Sequence, residues 1–383
     1  MKKNELIIIE GRSVEEMAQA LCRMACLEEM IRERFPARGG KDPLIALKPN
    51  LVGPIPAQDG ATTHPQIVKG VVEYLRKCGF RNLVVMESSW VGDRTSDSLL
   101  VTGFGELCRD LNIPFWDLQQ DRGIRKDAAG MELNVCERAL SVDYLINLPV
   151  LKGHCQTRMT CALKNMKGCI PASEKRHFHR AGLHKPIGHL SAAIHQDFII
   201  ADAICPDLTF EDGGNPVQLN RMICAADPVL LDAYGAQALG LSVDDVPYIS
   251  IAQECGAGCC DTDCAEISCW LERRSEEGIS YTRAEAPALP WDTDHSRQLI
   301  GLKAVVDELD SCSACYGTLI PVLKKLEAEG ILDRINEKIC IGQGYRGKTG
   351  ELGIGNCTAH FRNNLPGCPP TAQEMERFLR SID

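Results

Sequence analysis

Long apolar runs are missing from this sequence. The first ten residues, Met1 to Glu10, hold two lysines but only a four-residue apolar run, Leu6 to Ile9, too short for a secretory leader or a membrane span. Basic charge is also in short supply: 42 Lys and Arg face 52 Asp and Glu, a formal net charge of -10, which repels a phosphate backbone and argues against nucleic acid as a partner. No G-x-S-x-G elbow is present, so the usual serine-hydrolase chemistry finds no support. Internal repeats and low-complexity tracts are likewise lacking. A cytoplasmic protein is expected, and 383 residues at 44% hydrophobic content suit one large and one small domain.

Cysteine, by contrast, is abundant. Twenty thiols in a compartment that keeps thiols reduced point to metal or cluster ligation rather than to disulfides. Cys22, Cys26, Cys78, Cys108 and Cys136 stand singly among apolar neighbours and read as small buried hydrophobes.

Leu44 to Leu47 predicts a strand ending at Lys48, Pro49 and Asn50, after which a Gly/Pro-rich loop leads to Thr62, Thr63, His64 and Pro65. Thr63 is expected as a helix N-cap with Pro65 in the first turn, Ile67, Val68, Val71, Val72 and Leu75 at helical spacing, and Gly79 as the stop. Leu83 to Met86 predicts the next buried strand. A helix through Leu99, Leu100, Phe104, Leu107 and Leu111 follows, with further strands near Phe115, at Tyr144 to Leu148 and at Phe198 to Ile204. Asp227 is expected to cap a helix over Pro228 to Leu239. This alternation predicts an α/β fold with a doubly wound, mostly parallel sheet over residues 1–255. Residues 256–298, charged and irregular, read as a cysteine-containing excursion and linker. Residues 299–383 read as a second, smaller α/β cysteine-containing domain: a strand at Leu302 to Val306, a helix on Leu319, Ile320, Leu323 and Leu326 stopped by Gly330, a strand at Lys338 to Ile341 and a last helix after Pro370.

In that small domain Cys312 and Cys315 form a C-x2-C pair, Cys357 lies far downstream, and Cys368 stands in Gly367-Cys368-Pro369-Pro370. Four thiolates of this kind suit a 4Fe-4S cluster. The C-x2-C turn presents two together, the prolines stop regular structure and leave N–H groups for the sulfurs, and Gly355 and Gly367 permit close backbone approach. Zinc is the rival, because Cys357 and His360 make a C-x2-H pair that would complete a site with Cys312 and Cys315; the wide separation and the terminal Cys-Pro favour the cluster. Cys340, between Ile339 and Ile341, reads as packing. Cys255, Cys259, Cys260, Cys264 and Cys269 are dense enough for a metal but match no ligand spacing.

Ligands of open parallel sheets gather at strand carboxyl ends, which directs attention to Lys48, Asn50, Glu87, Ser88, Lys152, His154 and Asp202. Downstream of the buried run Leu145 to Leu151 the chain concentrates Lys152, His154, Lys164, Asn165, Lys167, His177 and His179, accompanied by Cys155, Cys161 and Cys169. Lysines there suit a carboxylate or phosphate, and a histidine suits acid-base work near neutrality. Lys152, His154, Lys164 and His179 are the candidate catalytic residues. Lys48, Asn50, His64, Asn165 and Asp202 are the candidates for holding a ligand, with Asp202 placed to orient a lysine or histidine. His184, His189 and His195 read as surface histidines.

Lys48-Pro49-Asn50, Thr62-Thr63-His64-Pro65, Leu148-Pro149-Val150-Leu151-Lys152-Gly153-His154, Leu163-Lys164-Asn165 and Asp227-Pro228-Val229-Leu230-Leu231-Asp232 together resemble the domain of unknown function 362 family, over about Leu44 to Gly258. The resemblance implies association with an iron-sulfur module, and Gly367-Cys368-Pro369-Pro370 looks like the end of small cluster-binding domains in anaerobic redox proteins. A fainter resemblance, through His154, Lys164 and His179, is to the nickel-pincer lactate racemases. It implies Lys164 as the tether of a pyridinium-derived cofactor, His179 as a nickel ligand and His154 as a proton carrier.

Three functions follow as expectations. The first is an iron-sulfur redox or electron-transfer protein, its 4Fe-4S cluster serving a redox partner protein or a small-molecule anion beside Lys152, His154 and Lys164. The second is an isomerase-like enzyme working in the α/β cleft, with the cluster as a staple. The third is a non-catalytic zinc-binding module.

Overall fold

Apolar strand residues alternate between two interiors, because successive side chains of a strand point to opposite faces. In β1 (Glu5–Glu10) Leu6 and Ile8 face one interior and Ile7 and Ile9 the other; β2 (Ile45–Pro49) and β3 (Leu83–Glu87) divide in the same way, with Ala46, Val84 and Met86 on the first side and Ile45, Leu47 and Val85 on the second. The computed structural model describes residues 1–36, 42–276, 278–291 and 305–382. The remaining strands are β4 (Phe115–Asp117), the hairpin β5 (Gly123–Ala128) and β6 (Met131–Cys136), β7 (Tyr144–Leu148), the short pair β8 (Lys152–His154) and β9 (Arg158–Thr160), β10 (Phe198–Ala203), β11 (Arg221–Ala225), β12 (Glu266–Ser275) and β13 (Gly278–Ala284). Nine of the described strands join one sheet in the order β13-β12-β1-β11-β10-β7-β2-β3-β4. From β10 to β4 every neighbour is parallel; β11 runs antiparallel between β10 and β1, and β13 folds back on β12.

Helices cover both faces. On one lie α1 (Val14–Met24), α2 (Leu27–Arg34), α3 (Pro65–Lys77), α4 (Thr95–Val101) and α5 (Phe104–Asp110), contributing Met17, Leu21, Ile31, Val68, Val71, Leu75, Leu99 and Phe104. The other receives α6 (Glu137–Leu140), α7 (Ala162–Asn165), α8 (Ala172–Ala181), α9 (His184–Ala193), α10 (Pro228–Ala238) and α11 (Tyr248–Glu254), through Ala139, Leu163, Phe178, Ile187, Tyr234 and Ile249. The fold is thus the doubly wound, mostly parallel α/β sheet that the alternation predicted.

Two local expectations are corrected. The N-cap position of α3 is His64, not Thr63, whose hydroxyl instead donates to Leu148 O at 2.7 Å and accepts from Asn50 N at 2.8 Å, tying the loop to the neighbouring strand end. The segment read as an irregular excursion carries β12 and β13, which extend the sheet beyond β1. Its residues are charged because an edge hairpin exposes most of its side chains.

Two compact units divide the chain. The first is the sheet with its helices. The second comprises His154–Arg158, Thr209–Glu211 and, of the described residues, 305–382. Four parallel three-residue strands, β14 (Val306–Glu308), β15 (Ile339–Ile341), β16 (Leu352–Ile354) and β17 (Asn363–Leu365), form its sheet in chain order. Of the strand expected at Leu302 to Val306, residues 302–304 lie outside the described residues, as does the expected boundary at 298–299. The helices Ser313–Ala328 and Ala372–Arg380 enclose a core of Leu319, Leu323, Leu326, Ile339, Ile341, Leu352, Ile354, Met375 and Leu379. Thr371 and Glu374 close a capping box at the start of the last helix.

Candidate functional site

Parallel strands end together, and their last residues supply a buried polar layer. Lys48 on β2 reaches Glu87 on β3, Nζ to Oε2 2.6 Å, with both side chains shielded from solvent. Glu87 Oε1 accepts from Ser88 N, and Ser88 Oγ donates to Gly168 O. A Cβ at Gly168 would fall 2.6 Å from Lys48 Nζ, so only glycine lets this turn close over the ion pair. Asn165 donates to Lys48 O at 3.3 Å and to Asn147 Oδ1 at 2.7 Å, and Asn50 Oδ1 accepts from Val52 N. Lys175, which was not among the residues singled out from the sequence, is buried and donates to Ser88 O, Ser88 Oγ and Ser89 O at 2.6–2.8 Å. Burial lowers its pKa to about 8, an effect partly offset by Glu87.

A second group stands where β10 meets the start of α3. Asp202 Oδ2 accepts from both His64 N and His64 Nδ1 at 2.8 Å, so Asp202 does orient a histidine. His64 Nε2 lies 3.5 Å from Cys205 Sγ. Arg12, Glu16, Gln66, Gln218 and Asn220 join His64 along an open groove of about 560 Å³.

The third group gathers on α7, α8 and the turn between them. Lys164 Nζ donates to Thr160 Oγ1 at 3.1 Å, Lys167 Nζ donates to His179 Nε2 at 3.2 Å, and the Trp90 ring meets His179 edge-on at 4.9 Å. Burial, then the charges of Lys167 and Lys164, press the His179 pKa down to about 2, so the ring is neutral and accepts. Asp232 holds this segment from below: its carboxylate accepts from Ala162 N at 2.7 Å and Leu163 N at 3.2 Å. Its burial raises its pKa to about 7. Two lysines beside a neutral imidazole are chemically suited to a small anion.

Lys152 and His154 fall in different units. Lys152 is buried with Nζ donating to Ala61 O at 2.6 Å, in the sheet unit, whereas His154 belongs to the second unit with Cys155 and Glu211. Sequence reading missed Glu211, which no spacing links to His154.

Within the second unit the four C-terminal thiols converge. Burial, followed by the charges of Cys312, Cys368 and Cys357, pushes the Cys315 thiol up to about 12, and Cys312 is raised by burial and by Cys357. Gln343 Nε2 donates to Cys312 Sγ at 3.2 Å, and the Arg346 guanidinium bonds Cys357. Gly355 and Gly367 have φ +92° and +145°, so a side chain there is strained; a Cβ at Gly355 would approach Cys315 Sγ to 3.9 Å. Cys340 points elsewhere, toward Lys338 O. In the other cysteine group Cys269 is buried on β12, Cys255 Sγ sits 3.6 Å from His189 Nδ1, and Cys259 and Cys264 are exposed. Burial and then Cys259 raise the Cys260 thiol pKa, and Asp261 and then Cys259 raise that of Cys264.

The family described as Domain of unknown function (DUF362) matches residues 45–237, half of the chain. A thylakoid-associated protein of Synechocystis sp. is 26% identical over 225 residues, covering 55% of this chain and 68% of that protein. Among solved structures, the lactate racemase apoprotein from Thermoanaerobacterium thermosaccharolyticum aligns at 13% identity and a TM-score of 0.37, covering 59% of this chain and 55% of that one. A Thermotoga maritima protein aligns at 11% and 0.30, covering 79% and 62%. The chain therefore spans just over half the length of the racemase, a likeness too distant to bear on chemistry. No helix among the described residues is long and apolar enough to cross a membrane.

Proposed function

This chain belongs to the DUF362 family, whose matched region ends well before the C-terminal thiols, and we propose that those thiols hold one 4Fe-4S cluster that makes the protein a redox or electron-transfer protein. The observation that carries the reading is the mutual electrostatic reach of Cys312, Cys315, Cys357 and Cys368, drawn from separate stretches of one small unit. Cys312, Cys315 and Cys357 are half-buried and Cys368 is exposed; four neighbouring thiolates repel one another, and a cationic core offsets that repulsion. Donors to sulfur from Gln343 and Arg346 fit the same donor set. When bound, such a cluster supplies one-electron transfer.

Zinc fits less well. A Zn–S distance of about 2.3 Å places two sulfurs roughly 3.8 Å apart, whereas the only three ligand atoms within 4.8 Å of one another among the described residues are those of His154, Cys155 and Glu211. The small-molecule anion partner is assigned to Lys164 and Lys167 beside His179, on the strength of their shared electrostatic surroundings.

Protein purified without oxygen is expected to contain iron and sulfide at four each per chain, with visible absorption that bleaches on dithionite. Cys315→Ser should lose the iron and Cys340→Ser keep it. Stoichiometric zinc without iron, or equal loss in both variants, overturns the assignment.

A further inference from the structure

We propose that His154, Cys155 and Glu211 form a mononuclear site for a divalent ion of the zinc type, separate from the four C-terminal thiols. One ligand atom from each lies within 4.8 Å of the other two. His154 and Glu211 are 5% and 3% exposed, so the Glu211 carboxylate sits where water screens it little, and a cation beside it offsets that burial. The three donors differ in kind, an imidazole, a thiol and a carboxylate, a set that suits a borderline-soft divalent ion.

The surrounding backbone fixes the ligands. His154 Nδ1 accepts from Gln156 N at 3.0 Å and Thr157 N at 3.2 Å, which sets the ring and turns Nε2 toward Glu211, whose Oε1 lies 3.9 Å away. Cys155 N donates to Glu211 Oε2 at 2.8 Å, and the Cys155 thiol donates to Oε1 at 2.8 Å. With Nδ1 occupied, Nε2 carries the ring proton in the ion-free chain. A divalent ion takes the imidazole in its neutral form, so capture by the ring, Sγ and the Glu211 carboxylate releases one proton, that of the thiol, and leaves one added negative charge to balance the ion. Three protein ligands leave a fourth tetrahedral position for water or a substrate oxygen. Tyr316, next in sequence to Cys315, packs on Phe210 with ring centroids 5.9 Å apart and feels the charges of Cys155 and Glu211, so the trio adjoins the segment that carries a cluster cysteine.

The full-length protein, purified anaerobically with iron and sulfide counted, is titrated with Co2+ and followed by thiolate-to-cobalt absorption and equilibrium dialysis. One Co2+ per chain is expected, with the apparent affinity rising with pH, about tenfold per pH unit below the thiol pKa, because one proton leaves. Cys155→Ala is expected to abolish the absorption, and Glu211→Gln to weaken binding roughly 100-fold. Cys315→Ser should leave the absorption in place while its iron count falls, which separates this site from the cluster reading. Thermal unfolding and iron content of Cys155→Ala check that the variant is folded, and Cys155→Ser repeats the loss with near-identical shape. Absorption that persists in both Cys155 variants, or disappears only in Cys315→Ser, overturns the site.

Discussion

Asp202 accepts from His64 twice, once from the backbone and once from the ring, and this governs the charge of the histidine. Burial acts to lower its pKa, but the Asp202 carboxylate and Cys205 together lift it to about 10. A base held above its ordinary 6.5 contributes stability that is complete below that pH and is lost as the pH rises through 10. Asp202→Asn is therefore expected to cost roughly 3–5 kcal/mol near pH 6 and clearly less above pH 10; urea midpoints showing equal loss at both would remove the ion pair from the account. Lys175 has the opposite sign. Its folded pKa, lowered from 10.5 to about 8, means that stability present above 10.5 is lost as the pH falls through 8, by about 3 kcal/mol. Lys175→Met lacks that loss, so the difference in stability between variant and parent should move in favour of the variant by up to about 3 kcal/mol between pH 10.5 and 7.5; a flat difference would show that the three hydrogen bonds keep the amine charged at no expense. The two residues were unequally legible. Asp202 and His64 follow buried runs, where sheets place their ligands, but Lys175 lies among Glu174, Arg176 and His177, and nothing in that polar stretch tells which side chain the fold turns inward.

Elements were readable wherever burial is two-sided. β2, β3, β7 and β10 are buried along their whole length, and such strands appear as continuous apolar runs. β12 and β13 are half-exposed and read Glu272, Arg273, Arg274, with their pairing decided by β1, a strand more than 250 residues away in sequence; local pattern does not carry that information. Helix contacts are set by single small residues. At Gly188 in α9 a Cβ would stand 2.6 Å from Ile251 Cβ and 3.1 Å from Ala252 N on α11, whereas at Gly105 in α5 it would meet Leu99 O at an ordinary 3.5 Å. Gly188→Ala is expected to destabilise by roughly 1–2 kcal/mol, since overpacking outweighs the helix propensity gained. Gly105→Ala should stabilise by roughly 0.4–1 kcal/mol. Urea unfolding of the pair decides the matter: the same sign in both would mean that close approach of α9 and α11 is not what requires the glycine.

On the scale of the whole chain, the two units have unequal means of holding themselves together. The sheet unit buries apolar residues on both faces of nine strands. The second has strands of three residues and one modest core around Leu323, Ile341 and Leu352, to which a bound metal centre would add folding free energy. Four thiols tied to one inorganic core join the start of the helix Ser313–Ala328, the turn after β16 and the segment after β17, so the cluster would close the loops between them and remove entropy from the unfolded chain. Stripping the iron with a chelator under air is thus expected to raise amide hydrogen exchange across 312–380 toward that of an unfolded chain, while peptides of β2, β3, β7 and β10 retain their protection. The contrast between peptides of one sample makes the test internal. Protection unchanged in the small unit would mean that Leu323, Ile341, Leu352 and their neighbours suffice without the cluster, and the thiols would then serve electron transfer alone; protection lost in both units would mean that they unfold as one.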